Sequence, residues 1–161
     1  MRVLITGMSG TGKSAVVKEL RRRGHTAYDA DDDGYSEPGV DGAWRWRVDA
    51  VADLLDTSDA GVLFFAGCSE EQAVFTWDRT IVLTAPEPVI VRRLRDRTGN
   101  PFGKSDRERQ KILGDLRDVE PRLRRSATAV IDATQPLATV VAEILAISGT
   151  SFDDQRQEGR R

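Results

Sequence analysis

The sequence predicts an α/β fold of three layers: a five-stranded parallel sheet with helices on both faces. Three observations carry the prediction. Short apolar runs alternate with helix-periodic segments along the chain, two of those runs (61–66 and 80–84) are apolar almost throughout, and 161 residues suffice for one sizeable core but not two. No internal repeat interrupts the alternation, and right-handed crossovers would join the strands.

The first run, Arg2-Val3-Leu4-Ile5-Thr6, is apolar, partly β-branched and stops at Gly7, as a buried parallel strand does. From Lys13 onward Ala15, Val16, Val17 and Leu20 recur at helical spacing, and Gly24 ends the helix. Thr26-Ala27-Tyr28 is a brief second strand running into Asp29-Ala30-Asp31-Asp32-Asp33, after which Gly34 and Pro38-Gly39 mark a loop. A helix is expected over about 42–55, with Trp46, Val51, Leu54 and Leu55 roughly in phase. The runs at 61–66 and 80–84 are central strands. Ala85-Pro86-Glu87-Pro88 starts a helix that ends near Thr98, and a Gly/Pro-containing loop follows to Lys104. A helix over about 105–119, a last strand Ala129-Val130-Ile131-Asp132 and a helix over 137–147 complete the pattern. One domain is thus expected over residues 1–148, with 149–161 a polar, disordered tail.

Composition narrows the function. Charged residues are 31% and hydrophobic ones 39%, with a net charge of −2, so no basic excess points to nucleic acid. No apolar stretch reaches the roughly 18 residues of a membrane span, and the N-terminus enters a strand directly, so a cytoplasmic location is expected. With one cysteine, Cys68, and one histidine, His25, disulfide and zinc scaffolds are excluded.

The strongest chemical signal is Gly7-Met8-Ser9-Gly10-Thr11-Gly12-Lys13-Ser14, a full match to G-x-x-x-x-G-K-[ST] between a strand and a helix. The three-layer fold is therefore expected to be that of P-loop NTPases. Backbone amides of Gly7, Ser9, Gly10, Thr11, Gly12, Ser14 and Ala15 would surround the phosphates of a purine nucleotide, with ATP favoured. Lys13 would place its charge near the β and γ phosphates, and Ser14 would ligate Mg²⁺. No Asn-Lys-x-Asp guanine signal occurs in the chain.

Carboxylates after a strand lie where open α/β sheets bind ligands. In an extended segment Asp29 and Asp31 project to one side, putting Asp29 near the metal and Asp31 near an acceptor hydroxyl as general base, with Asp32 and Asp33 solvated. Trp44-Arg45-Trp46-Arg47 could hold a planar or anionic acceptor, with Arg47 the preferred contact; alternatively Trp46 packs in the core. Trp77 reads as packing, Cys68 as a small lining residue and His25 as structural. Arg122, Arg124 and Arg125 either reach a phosphate or form a solvated helix face.

On these residues the chain resembles the shikimate and gluconate kinase branch of the nucleoside monophosphate kinase-like P-loop phosphotransferases, over about residues 1–147. Asp29-Ala30-Asp31 is similar to the Asp-x-Asp of shikimate kinase, Trp46-Arg47 to its Phe-Arg pair, and Ala66-Gly67-Cys68 to the glycine cluster after the third strand. The resemblance implies Arg93 and Arg97 on the adenine side and at the entrance of a lid over about 97–107, with Lys104 as a lid cation. It implies the segment Ala127 to Pro136, including Gln135, as the adenine-side loop, and Trp46, Arg47, Gly67 and Cys68 as acceptor contacts in and beside a segment of about 34–56. Two departures stand out: the arginine with which shikimate kinase grips its acid corresponds to Val119, and the usual lid arginine is replaced. Shikimate is thus not the expected acceptor.

The reading is an ATP- and Mg²⁺-dependent kinase of a small hydroxylated metabolite, with Lys13, Asp31 and Lys104 catalytic. The protein is expected as a monomer or weak dimer, partnered by neither nucleic acid nor membrane. Alternatives are a nucleoside or nucleotide kinase, and a regulatory ATPase without phosphotransfer.

Overall fold

The structure is a computed structural model that describes residues 1–40, 43–58, 61–98 and 103–150. Five strands, β1 (Arg2–Thr6), β2 (Thr26–Asp29), β5 (Leu63–Ala66), β6 (Arg79–Thr84) and β7 (Ala129–Asp132), form one sheet in the order β2-β5-β1-β6-β7. Every neighbouring pair is parallel, so the expected parallel α/β sheet is present. A separate antiparallel hairpin is formed by β3 (Ser36–Pro38) and β4 (Trp44–Trp46).

Among the described residues six α-helices surround the sheet: α1 (Lys13–Arg22), α2 (Val48–Thr57), α3 (Glu87–Asp96), α4 (Asp106–Asp118), α5 (Glu120–Ser126) and α6 (Leu137–Ile147). Buried clusters form on both faces, because the sheet strands alternate their side chains between faces. On one face Val3, Ile5, Phe64, Ile81 and Leu83 meet Val16, Val17 and Leu20 of α1 and Val140, Val141 and Ile144 of α6. On the other, Leu4 and Phe65 meet Val51 and Leu55 of α2 together with Trp46. Strands covered on both faces account for the near-continuous apolar runs read from the sequence.

Two elements differ from expectation. The segment Trp44–Trp46 is strand, not helix: Trp46 pairs with Ser36 across the hairpin, and α2 begins only at Val48. Aromatic residues at i and i+2 suit a strand face better than a helix, and local pairing with β3 decides between them. The long helix expected over 105–119 is followed at once by a second, α5, with Pro121 in its first turn, where a missing N–H costs nothing. A 3₁₀ turn over Glu70–Val74 was not anticipated. Within the lid, 99–102 lie outside the described residues, as do the first residues of the expected 42–55 helix up to 42 and the tail from 151. No helix of the described residues is long and apolar enough to cross a membrane.

Candidate nucleotide-binding site

β1 is the middle strand, and the chain leaves its C-terminal end through Gly7 into the loop that opens α1. Gly7 adopts φ 143°, and a Cβ there would stand 2.4 Å from the Leu83 carbonyl oxygen of β6, so only glycine lets the loop hug the sheet. At Gly10, φ 87° combines with a Cβ position 3.1 Å from Ile90 Cγ2, which fits the loop under α3. The Thr11 hydroxyl, buried, donates to the Met8 carbonyl at 2.8 Å and closes the turn. Ser14 and Ala15 stand exposed on the first turn of α1, a turn that contains no acidic residue. The positive end of the helix dipole is thus not neutralised by its own side chains, which suits an anion.

Lys13 turns back over this loop, its Nζ donating to the Gly7 carbonyl at 2.6 Å and the Met8 carbonyl at 3.2 Å. Burial pushes its pKa down; Cys68, Asp29 and Asp31 push it back up, and Arg97 lowers it. Asp29, Asp31 and Arg97 are therefore the charged side chains around the lysine, with Cys68 among its neighbours. The structure thus brings together residues from the loops after β1, β2 and β5 and from the end of α3. Arg97 is itself lowered by burial, against the pull of Glu108 and Asp31.

Asp29 and Asp31 arrive there by a different route from the one expected. β2 ends at Asp29, and the chain turns immediately, wrapping the Asp31 and Asp32 amides onto Asp29 Oδ1 at 3.0 and 3.2 Å. The extended-strand alternation read from the sequence does not hold; an aspartate capping its own turn replaces it. Asp29 is buried while Asp31 is exposed, its Oδ1 accepting from the Ser36 hydroxyl at 2.7 Å. Asp33, expected to be merely solvated, accepts from the Asp29 amide at 2.7 Å and pairs with Arg21.

On the other side of the loop, Arg93 Nη2 donates to the Ala133 carbonyl at 2.6 Å, and Nη1 reaches the Thr11 carbonyl at 3.3 Å. Arg93 lies on the last turn of α3, and Arg97 follows as its C-cap residue in extended backbone, its amide donating to the Arg93 carbonyl at 3.0 Å. Gln135 donates to the Asp132 carbonyl at 3.3 Å and to Glu143 at 3.1 Å, and Pro136 caps the N-terminus of α6. Lys104, expected as a lid cation, follows Gly103 just beyond residues 99–102. Its ammonium donates to the carbonyls of Arg95 and Arg97, satisfying the C-terminal end of α3. Arg122 donates to the Asp118 carbonyl at 3.0 Å and Arg124 to Glu120 at 2.9 Å, which is the helix-face reading of that cluster.

The acceptor-side residues divide. Trp46 is 5% exposed and packs edge-on against Phe65 with ring centroids 5.0 Å apart, so it is a core residue that backs the site. Gly67 lies directly beneath it, and a Cβ there would come 2.8 Å from Trp46 Cζ2. Cys68 and Arg47 are exposed; Arg47 Nη1 donates to the Gly34 carbonyl at 3.0 Å and Nε lies 3.8 Å from Glu37. One residue was missed altogether. Glu71 accepts from the Trp46 amide at 3.4 Å, from Arg45 at 3.5 Å and from the Ser69 hydroxyl, tying the hairpin to the loop after β5. Burial raises its pKa, but those hydrogen bonds outweigh burial and hold it below the usual carboxylate range. A glutamate in an irregular turn carries no periodic signal from which this could be read.

For Mg²⁺ the donors on hand are the Ser14 hydroxyl and the Asp29 and Asp31 carboxylates. Among the described residues no group of three or more His, Cys, Asp or Glu could hold a metal unaided. Hard oxygen donors too few for a cage fit an ion whose remaining ligands are phosphates and water.

The chain is similar in fold to shikimate kinase from Acinetobacter baumannii in complex with shikimate, with TM-score 0.68 and 23% identity over 91% of this chain and 92% of that one. A gluconokinase from Sinorhizobium meliloti gives TM-score 0.63 and 23% identity, covering 92% of this chain and 91% of that one. Deoxyadenosine kinase from M. mycoides with bound dATP gives TM-score 0.60 and 12% identity, over 93% of this chain and all 100% of that one. Comparison with curated protein sequences gives no match. The structural likenesses establish the fold, that of the shikimate and gluconate kinase-like P-loop proteins. The family model described as AAA domain matches residues 3–114, and with the phosphate loop, its lysine and the five-stranded parallel sheet all in place, the chain belongs to that P-loop family.

Proposed function

We propose that the protein is an ATP- and Mg²⁺-dependent phosphotransferase whose acceptor is a small hydroxylated molecule. The observation that supports this best is the Lys13 ammonium, folded over an open amide loop and sharing its surroundings with Asp29, Asp31, Cys68 and Arg97. Phosphoryl transfer asks a protein mainly for alignment and for cations around the migrating group. Lys13 can leave the Gly7 and Met8 carbonyls for the β and γ phosphates, and Arg97 lies on the same side of the loop. Ser14 and Asp29 would hold Mg²⁺ together with the nucleotide's own oxygens, and the ion would supply charge neutralisation there. Asp31, exposed and held by Ser36, takes the proton of the acceptor hydroxyl as its oxygen bonds to the γ-phosphorus and the bond to the ADP oxygen breaks. Arg93, Gln135 and Pro136 flank the place for the adenine, and Lys104 holds the lid's base, not the phosphates.

Isothermal calorimetry and an acceptor-dependent ADP-release assay test the reading together. Lys13→Ala should lose ATP turnover with the fold intact, since one preorganised charge is worth about 10²–10³ in rate. Asp31→Asn should leave ATP binding and cut transfer by about 10²-fold. No heat with ATP and Mg²⁺ for the unaltered protein would defeat the proposal.

A further inference from the structure

The wall beside Asp31 is the β3–β4 hairpin, whose Ser36 donates to Asp31 Oδ1 at 2.7 Å, seated against the turn after β2 and the loop after β5. The Arg47 amide donates to the Tyr35 carbonyl at 2.7 Å, its guanidinium donates to Gly34, and the Trp46 ring covers Gly67. This wall carries two arginines, the groups that would grip a carboxylate or phosphate on an acceptor. Neither is offered to one.

Arg47 Nε lies 3.8 Å from Glu37 Oε2, and the two residues belong to the same hairpin. Arg45 Nη1 lies 3.5 Å from Glu71 Oε1. The first pair is exposed on both sides, and alone would be a weak barrier. The second is not: the Glu71 side chain is only 17% exposed and is also held by the Ser69 hydroxyl and the Trp46 amide, so Glu71 is fixed beside the wall whatever Arg45 does. The remaining cations, Lys13 and Arg97, already share their space with Asp29 and Asp31. Asp32 adds a further exposed carboxylate on the same turn.

We infer that the acceptor is an uncharged polyhydroxylated molecule, bearing neither carboxylate nor phosphate, because each arginine of the acceptor wall already faces a carboxylate, Arg47 that of Glu37 on the hairpin and Arg45 that of Glu71 in the turn after β5. The inference rests on the phosphotransfer reading and adds the acceptor's charge class to it. An anionic acceptor would have to displace Glu37, and would still lie beside Glu71 and Asp31. A neutral polyol needs only hydrogen-bond partners, which Asp31, Ser36, Glu37 and Glu71 provide as acceptors or hydroxyls.

The test uses matched pairs that differ by one carboxylate: glucitol against gluconate, and glucose against glucuronate. Transfer from ATP is read as kcat/KM, with ATP binding measured by calorimetry in the same buffer. The expected result is a preference of about tenfold or more for the neutral member of a pair, as suits a site whose fixed charge repels an anion. In Glu37→Gln, which frees Arg47, that preference should shrink about threefold in low salt and return toward the original value as salt screens the exposed charge. A carboxylated member used as well as its neutral partner overturns the inference, and so does an unchanged preference in Glu37→Gln. Transfer to neither member of either pair, with ATP still bound, also overturns it while leaving the nucleotide site standing. Absence of ATP binding removes the phosphotransfer reading itself, and the inference with it.

Discussion

The Arg93 guanidinium is hydrogen-bonded to the Ala133 carbonyl at 2.6 Å, linking α3 to a loop forty residues away in the chain while its other nitrogen touches the Thr11 carbonyl. One side chain thus sets the spacing between the phosphate loop and the segment that leads to Gln135 and Pro136. Arg93→Ala should weaken ATP binding by about tenfold, or ~1.4 kcal/mol, within the range of a charge-assisted hydrogen bond. Calorimetric titration checks it, and an affinity within about twofold of the original would remove Arg93 as the organiser of that spacing.

Gly67 reports on the opposite wall. A Cβ there would stand 2.8 Å from Trp46 Cζ2 and 2.9 Å from Ala30 Cβ, closer than packed atoms tolerate. Gly67→Ala should therefore destabilise the fold by about 1–3 kcal/mol, the usual cost of overpacking. Urea unfolding should show a lower midpoint with an unchanged slope. Adding Trp46→Phe, which shortens the ring that Gly67 meets, should recover part of the loss relative to the two changes taken separately.

α4 begins with a capping box in which the Ser105 hydroxyl accepts from the Glu108 amide and Glu108 accepts from the Ser105 amide. Glu108 also accepts from the Gly103 amide at 3.1 Å and is among the charges that act on Arg97. Ser105→Ala should cost about 1 kcal/mol of stability, and because the cap also steadies Glu108, ATP affinity should fall with it. Thermal unfolding with and without ATP separates the two effects; equal losses in both conditions would mean that the cap serves stability alone.

His25 gives a pH signature. Its ring meets Phe64 edge-on at 5.9 Å, and burial, with Arg23 adding repulsion, lowers its pKa from the ordinary 6.5. The folded chain thus takes up its proton at lower pH than the unfolded chain does. Stability should be fully present above the unfolded value and decline as pH falls below about 6.5, because there the unfolded state binds more protons. His25 is the only histidine, and carboxylates titrate lower, so His25→Gln should flatten the dependence of the urea midpoint between pH 7.5 and about 5.5. A slope as steep in the variant would assign the effect elsewhere.

The sheet and the phosphate loop were legible because their signals are local and redundant. Glycines at positions 7, 10 and 12, a lysine and a serine occupy fixed offsets, and the runs at 61–66 and 80–84 are apolar almost throughout. The acceptor side was less so. Trp44 and Trp46 suit either a helix or a strand by spacing, and only pairing with Ser36 and Pro38, too short a segment to stand out, resolves the choice. Asp31 was found for its composition but placed by the wrong geometry, since a strand end and an aspartate-capped turn look alike in sequence. Glu71 was missed because its partners, the Trp46 amide, the Arg45 guanidinium and the Ser69 hydroxyl, meet it across a hairpin and an irregular turn that carry no periodic signal.

β1 is flanked on both edges, by β5 and by β6, and the phosphate loop springs from its end. Amides at that root should be among the last to exchange with deuterium, since they open only when the whole sheet does. The hairpin proposed to face the acceptor is held by two three-residue strands at the periphery. Substitutions there can refashion what the molecule accepts while the engine beneath keeps its shape, so descent with altered specificity would leave its record in residues 34–47 and little trace in the centre.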